Sequence, residues 1–190
     1  YKRNNYDLIG PVTTQGIGGQ VTKFGNVASM ESSGFELTLS TVNINKKNFK
    51  WTTDFIYSHA ENRVTDLDNQ QRVIDLVAGT GFALEGYPVR SVFSIPYRGL
   101  NSEGIPTFLD QNGEVTSTGI YFQERDKIDF LEYSGTADPT DFGSFGNTFS
   151  FYGFKVNVFF TYSFGNVVRM DPVFKKQYSD LTAMPKEFKN

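Results

Sequence analysis

The sequence predicts an all-β chain, an arc of an antiparallel transmembrane β-barrel with long loops on one side. Three observations predict it. Strand-length segments alternate with period two, greasy on one face and small or polar on the other. Aromatic residues reach 16%, with 19 Phe, while hydrophobic residues as a whole stop at 38%. A soluble core leans on Leu, Ile and Val; aromatic girdles around a polar lumen give the skew found here. Finally, short turns join the strands at one end and a long excursion joins them at the other. That asymmetry belongs to bacterial outer-membrane barrels, whose long loops are extracellular.

Residues 1–9 read as the tail of a strand that ends in Tyr6, Leu8 and Ile9. Residues 10–24, rich in Gly, Thr and Gln, read as a loop. Their Gly16-Ile-Gly-Gly19 run is followed by neither Lys-Ser/Thr nor a helix, which argues against a phosphate loop. Residues 26–33 lead into a strand at 34–44. Phe35, Leu37 and Leu39 share one face of it; Glu36, Thr38 and Ser40 share the other. Residues 45–48 are a tight polar turn. The strand at 49–61 places Phe49, Trp51, Phe55, Tyr57 and His59 on one face and Lys50, Thr52, Asp54 and Ser58 on the other. An unpaired carboxylate is costly in a dry core, so the Glu36 and Asp54 face meets outside solvent or a wet lumen.

Residues 63–142 form the long excursion. Within it, 64–75 is polar and 79–88 is turn-rich. Residues 91–100 could be a strand, which Pro96 confines to an edge or an irregular position. Residues 105–109 and 115–122 fit a small hairpin across Asp110-Gln-Asn-Gly113. Asp110, Asn112 and Glu114 invite a calcium reading, but the terminal bidentate Glu of a calcium loop is missing, which favours a turn. Residues 124–132 alternate charge, and 133–142 read as a Gly/Pro/Asp loop.

Residues 144–165 then form two arms folded back at Tyr152-Gly153. Phe145, Phe149 and Phe151 oppose Ser144, Gly146, Thr148 and Ser150 on the first arm. Val156, Val158, Phe160, Tyr162 and Phe164 oppose Lys155, Asn157, Thr161 and Ser163 on the second, with Phe159 the exception. Alone, this hairpin fits the core of a soluble sandwich as well as it fits a membrane. Aromatic height separates the two. Trp51, Phe151 and Phe154 lie near the turns, and Tyr57, Tyr162 and Phe164 near the far ends. From Val156 to Phe164 the rise is about 27 Å, or about 20 Å at a tilt near 40°, comparable with the ~25 Å apolar band of a barrel. Residues 171–190 turn polar and basic and read as a surface loop.

Several classes of chemistry find no support. A net charge of −3 gives no electrostatic case for nucleic acid. Without cysteine there is no thiol nucleophile, thiolate metal site or disulfide scaffold. The single histidine, His59, sits at a strand end without a second His, a poor basis for a metal site or a nucleophile–base pair. No two of the carboxylates are singled out as a glycosidase pair. The expectation is therefore no enzyme, no cofactor and no metal. No apolar run approaches a membrane helix. Tyr1-Lys-Arg-Asn-Asn lacks the apolar core of a signal peptide, so the membrane reading makes the chain an interior piece of a longer protein.

A family resemblance runs along the chain. Asn26-Val-Ala-Ser-Met-Glu-Ser-Ser-Gly-Phe-Glu-Leu-Thr-Leu resembles the N-x-A-x-M-x-N-x-G-x-E stretch of SusC/RagA-like TonB-linked outer-membrane transporters. Phe49-Lys-Trp resembles the F-x-W strand start that follows it. Gly86-Tyr-Pro, Tyr97-Arg-Gly-Leu and Gly104-Ile-Pro resemble the G-x-P, Y-x-x-G-L/I and G-x-P run. Tyr133-Ser-Gly, Pro139 and Phe145-Gly-Asn-Thr-Phe-Ser-Phe-Tyr-Gly-Phe resemble a later segment, and Met184-Pro-Lys-Glu-Phe a last one. Ser33 and Phe151-Tyr152 depart mildly from the family pattern. The resemblance implies that residues 1–190 are a segment of the C-terminal part of a barrel of about 22 strands, with signal peptide and plug elsewhere. It further implies a Gram-negative, Bacteroidota-like outer membrane, energy from TonB through the missing N-terminal region, a SusD-like surface lipoprotein as partner, and oligosaccharide or peptide cargo.

On that reading Glu36, Thr38, Lys50, Asp54, Thr148, Asn157 and Thr161 face the lumen. Trp51, Phe55, Tyr57, Phe149, Phe151, Val158, Phe160, Tyr162 and Phe164 face outer-membrane lipid or its girdles. By residue type alone, Tyr97, Arg98 and Tyr133 are substrate-binding candidates. The competing reading is a soluble β-rich carbohydrate-binding or adhesin-like module.

Overall fold

The computed structural model describes residues 1–13, 22–68 and 70–170; for 10–13 and 22–24 it describes the backbone only. Among the described residues, ten strands and one short helix follow in order: β1 (Lys2–Thr13), β2 (Thr22–Lys46), β3 (Phe49–Leu67), α1 (Val73–Val77), β4 (Ser91–Ser94), β5 (Tyr97–Leu100), β6 (Pro106–Leu109), β7 (Val115–Thr116), β8 (Glu132–Thr136), β9 (Asp141–Phe151) and β10 (Phe154–Phe164). The five long strands make one antiparallel sheet in the order β1-β2-β3-β9-β10. Two small sheets, β4-β8 and β5-β6-β7, lie between β3 and β9 in the chain.

The wall is registered from one end. β2 and β3 are joined through Lys47-Asn48, and β9 and β10 through Tyr152-Gly153. Tyr152 and Gly153 have φ of 46° and 89°, the left-handed pair that lets a two-residue turn follow the strand twist. Gly suits that geometry; Tyr152 adopts it with its ring edge-on to Phe151 at 4.5 Å. The Tyr152 N–H donates to the Asn48 carbonyl at 3.2 Å and ties the two turns together. From there β3 and β9 pair without a slip, from Phe49 opposite Phe151 to His59 opposite Asp141.

The strands outrun their predicted lengths. β1 continues to Thr13 and β2 begins at Thr22, so strand replaces much of the predicted loop; residues 14–21 lie outside the described residues, as do 171–190. β3 runs on to Leu67, eight positions past its last partner in β9. The free upper edge of β3 is taken by the excursion. The Ala60 N–H donates to Thr140 O, the Val64 N–H to Tyr87 O and the Gly86 N–H to Val64 O. Backbone groups that would otherwise lack partners are thereby satisfied.

The excursion is a folded cap, with a core that its candidate strand and hairpin did not foretell. Val64, Val73, Leu76, Val92 and Phe93 are its buried apolar residues. Tyr87, Phe93 and Tyr133 pack as a triad with ring centroids 5.0–5.6 Å apart. The helix α1 is absent from the sequence-based expectation, because its single turn is too short for a 3.6-residue pattern to appear. Arg72 starts it: the Asp75 carboxylate accepts from the Arg72 N–H at 3.1 Å and from its guanidinium at 2.7 and 2.8 Å. Residues 91–100 are not one strand. Pro96 divides them into β4 and β5, which join different sheets. The expected hairpin across Asp110–Gly113 is present, though β7 is only two residues long. Part of the predicted loop at 133–142 is instead β8 and the start of β9.

Candidate functional site

The register sorts the long strands into two faces. One carries horizontal rows across β2, β3, β9 and β10: Leu39, Phe55, Phe145 and Phe160; Leu37, Tyr57, Gly143 and Tyr162; Phe35, His59, Asp141 and Phe164. Nearer the turns, Trp51 stacks on Phe149 at 5.7 Å and Phe49 meets Phe151 at 6.4 Å. The predicted greasy set therefore does share a face. Phe145 is 42% exposed, Phe160 61% and Val156 57%, so among the described residues nothing in the chain covers this face. The aromatics do not separate into two levels, however: Phe55, Phe145 and Phe160 form a third row between the others.

One row on this face is polar. Thr41, Thr53 and Asn147 lie in register, and a bulge between Val42 and Ile44 adds Asn43. The group bonds to itself. Thr41 donates to Asn43 Oδ1 at 2.9 Å, Asn43 Nδ2 to Thr53 Oγ1 at 2.6 Å, and Thr53 to Asn147 Oδ1 at 2.8 Å. Trp51 Nε1 also donates to Asn147 Oδ1, at 2.9 Å. Alternation alone did not reveal this belt, because four scattered residues become one row only once β3 and β9 are paired.

The opposite face carries the predicted polar set. Asp54 accepts from the Ser40 hydroxyl at 2.7 Å, and Asn157 donates to Thr148 at 2.7 Å. Glu36, Thr38, Lys50 and Thr161 share this parity. It is not uniformly polar: Ile56, Phe142 and Phe159 line a shallow concavity with Thr161 and Ser163. Phe159 lies over Gly146, where an added Cβ would come within 3.1 Å of the ring. Tyr162 closes over Gly143 in the same manner from the aromatic face and donates to the Ile56 carbonyl at 3.1 Å.

At the top of the wall, a cleft of about 450 Å³ wraps the edge of β3 where β9 has ended. Glu31, Ser33, Glu61 and Arg63 border it from the aromatic-face parity, Ala60 and Asn62 from the other, and Gly86, Tyr133 and residues 138–140 from the cap. A second, apolar cavity of about 520 Å³ lies between the upper sheet and the cap, lined by Leu8, Met30, Val64, Leu67, Phe82 and Val89.

Tyr97, Arg98 and Tyr133 do not converge. Tyr97 and Arg98 are on β5, where the Tyr97 ring meets Phe108 at 5.9 Å; Tyr133 is on β8 in the other small sheet. Burial among Tyr87 and Phe93 pushes the Tyr133 phenol above its usual range, which fits a packing role. The Asp110 carboxylate is directed at the backbone, accepting from the Asn112 and Glu114 N–H groups at 2.9 Å; those bonds hold its carboxyl below the usual range.

No family model matches the chain. It is 26% identical over 185 residues to TonB-dependent receptor P3 of Formosa agariphila, covering 88% of this chain and 18% of that protein. It is 34% identical over 84 residues to TonB-dependent receptor P26 of the same organism, covering 43% of this chain and 8% of that one. The chain thus spans less than a fifth of the relatives it matches. Among solved structures, it superposes on the RagAB peptide transporter with a TM-score of 0.64 at 21% identity, over 86% of this chain and 18% of that one. The RagAB peptide importer in its closed-closed state gives 0.64 at 22%, over 87% and 18%. Those relatives are receptors and transporters, not enzymes. The chain is matched in sequence and in fold by part of a SusC/RagA-like TonB-dependent transporter, as an arc of antiparallel β-barrel wall of the cell outer membrane.

Proposed function

We propose that residues 1–190 are wall, lumen lining and extracellular cap from the C-terminal part of an outer-membrane active transporter. The transporter takes up oligosaccharides or peptides, draws energy through TonB, and pairs with a SusD-like surface lipoprotein. The observation that carries the reading is the uncovered aromatic face opposite a polar one. A water-soluble module with Phe35, Leu37, Leu39, Phe145, Val156, Phe160 and Phe164 exposed together would aggregate. Lipid covers such a face without a protein partner, and the opposite face then meets water in the lumen. The two turns become periplasmic and the cap extracellular.

The experiment uses the full-length protein in its native host. Uptake of labelled oligopeptides and oligosaccharides is compared in the wild type, after deletion of this gene and after loss of TonB. Uptake of one cargo class that fails in both mutants is expected. Uptake unchanged by either deletion would remove the transport reading. A protein that stays monodisperse without detergent would remove the membrane reading too.

A further inference from the structure

Each carboxylate bordering the upper cleft is turned to a partner other than Arg63: two to cations, and Glu61 to the His59 imidazole that also bonds Asp141. Glu31 takes Lys2 Nζ at 3.0 Å, Asp138 takes Arg90 Nη1 at 2.7 Å, and Glu61 faces His59 Nε2 at 3.4 Å. Glu31 stands directly opposite Arg63 in the register and Glu61 shares its face two positions away, yet both carboxylates are turned to other partners. Among the described residues the Arg63 side chain has no hydrogen bond and no ion pair; its guanidinium lies over Gly86, 3.6 Å from where a Cβ would be. The diagonal neighbour Ser33 presents a hydroxyl that is likewise unbonded among the described residues. A planar guanidinium beside a free hydroxyl suits a phosphate, which it can grip with two parallel bonds.

Parity and height say where that phosphate comes from. Arg63 lies on the aromatic face, four positions beyond His59, so it stands ~10 Å above the top of the apolar rows for strands tilted near 40°. An outward-pointing arginine at that level meets lipid headgroups, not cargo in the lumen. We propose that the cleft at Arg63 and Ser33 seats a phosphate of an outer-leaflet glycolipid headgroup, fixing the upper wall and the cap edge at Gly86 against the membrane surface. This rests on the barrel-wall reading above.

The test titrates full-length protein in detergent with bisphosphorylated lipid A and reads retained lipid by native mass spectrometry. Arg63→Gln should weaken retention about tenfold, and Arg63→Lys should recover part of it because a point charge lacks the fork. Removing the lipid phosphates should cost the wild type as much and cost Arg63→Gln little more. Arg63→Gln should still show heat-modifiable migration, since the side chain is exposed. Equal retention by Arg63→Gln and wild type overturns the proposal and leaves the barrel reading standing. So does inorganic phosphate competing at the lipid's own concentration, which would make the site one for free phosphate. Slower uptake of carboxylate-bearing cargo with lipid retention unchanged would assign Arg63 to cargo and also overturn it. A protein that never forms a heat-modifiable species overturns the barrel reading and this proposal together.

Discussion

Phe160 and Thr161 are neighbours on β10 at one depth and on opposite faces, so arginine at each position isolates the facing of the wall. Phe160 is 61% exposed and ends the row formed by Leu39, Phe55 and Phe145. It lies six positions above Phe154, or about 16 Å at a tilt near 40°, which is within ~4 Å of the middle of a ~25 Å apolar band. Arginine near the midplane on the lipid side costs about 2–4 kcal/mol, and this offset favours about 2–3. That is roughly a 30- to 150-fold loss in the ratio of folded to unfolded protein. The exposed Phe160 ring leaves little packing to lose, so the cost is that of placing a charge in hydrocarbon. Thr161→Arg projects into water and should cost under about 1 kcal/mol. Urea titration of the full-length protein folded into phospholipid vesicles, followed by Trp fluorescence and heat-modifiable migration, measures both. Equal shifts, or a larger one for Thr161→Arg, would refute the assignment of the aromatic face to lipid.

Three further outcomes are expected. Gly143→Ala puts a Cβ 2.1 Å from the Ile56 carbonyl and 2.6 Å from the Tyr162 hydroxyl; overpacking of that order costs about 1–3 kcal/mol, read as less assembled barrel, and normal yield would show that β9 and Tyr162 can part freely. Tyr133→Ala removes the ring that packs on Tyr87 and Phe93 and should loosen the cap by about 2 kcal/mol, seen as faster proteolysis of residues 68–140 with barrel assembly intact; lost uptake with an equally resistant cap would return Tyr133 to a cargo role. The Asp110 carboxyl is held below its usual range by the Glu114 and Asn112 N–H groups, so its support of the turn is fully present above the unfolded value of about 3.9 and is lost as pH falls through the lower folded value; the protection of the Asn112 and Glu114 amides, relative to their intrinsic exchange at each pH, should fall in that acid window and stay level between pH 5 and 8, whereas Asp110→Ala should show the low protection throughout.

Much of the wall was legible because a strand has a two-residue period and declares its faces locally. Phe35, Leu37 and Leu39 could be set against Glu36 and Thr38 without knowing what lay beside them. Tyr152-Gly153 was legible as a turn because turn chemistry is also local; of the turn expected at 45–48 only Lys47-Asn48 is one, since Asn45 and Lys46 pair with Lys50 and Phe49 in the ladder. What depends on distant partners was not. β3 and β9 are neighbours across 73 intervening residues, from 68 to 140, and nothing in either strand names the other. The polar belt of Thr41, Asn43, Thr53 and Asn147 follows from that pairing, and so does the cleft at Arg63, which exists because β3 outruns β9. The cap was misread for a related reason. Its core draws single residues such as Val73, Leu76, Val92 and Phe93 from short segments, none long enough to show a period. Residue type alone nominated Tyr133 for cargo; its ring packs against Tyr87 and Phe93 at the edge of that core, half-exposed to the upper cleft.

The two turns tied through Tyr152 and Asn48 fix the alignment of four strands at the end of the wall farthest from the cap. Everything between Leu67 and Asp141 therefore hangs from a seam already closed below, and its length and sequence have no hold over how the strands align. A span attached in this way can be exchanged, lengthened or trimmed as a cassette while the barrel keeps its circumference, so long as some backbone still takes the places of Gly86, Tyr87 and Thr140 on the upper edge of β3. Variation in what such a wall recognises is thereby uncoupled from the requirement that it fold.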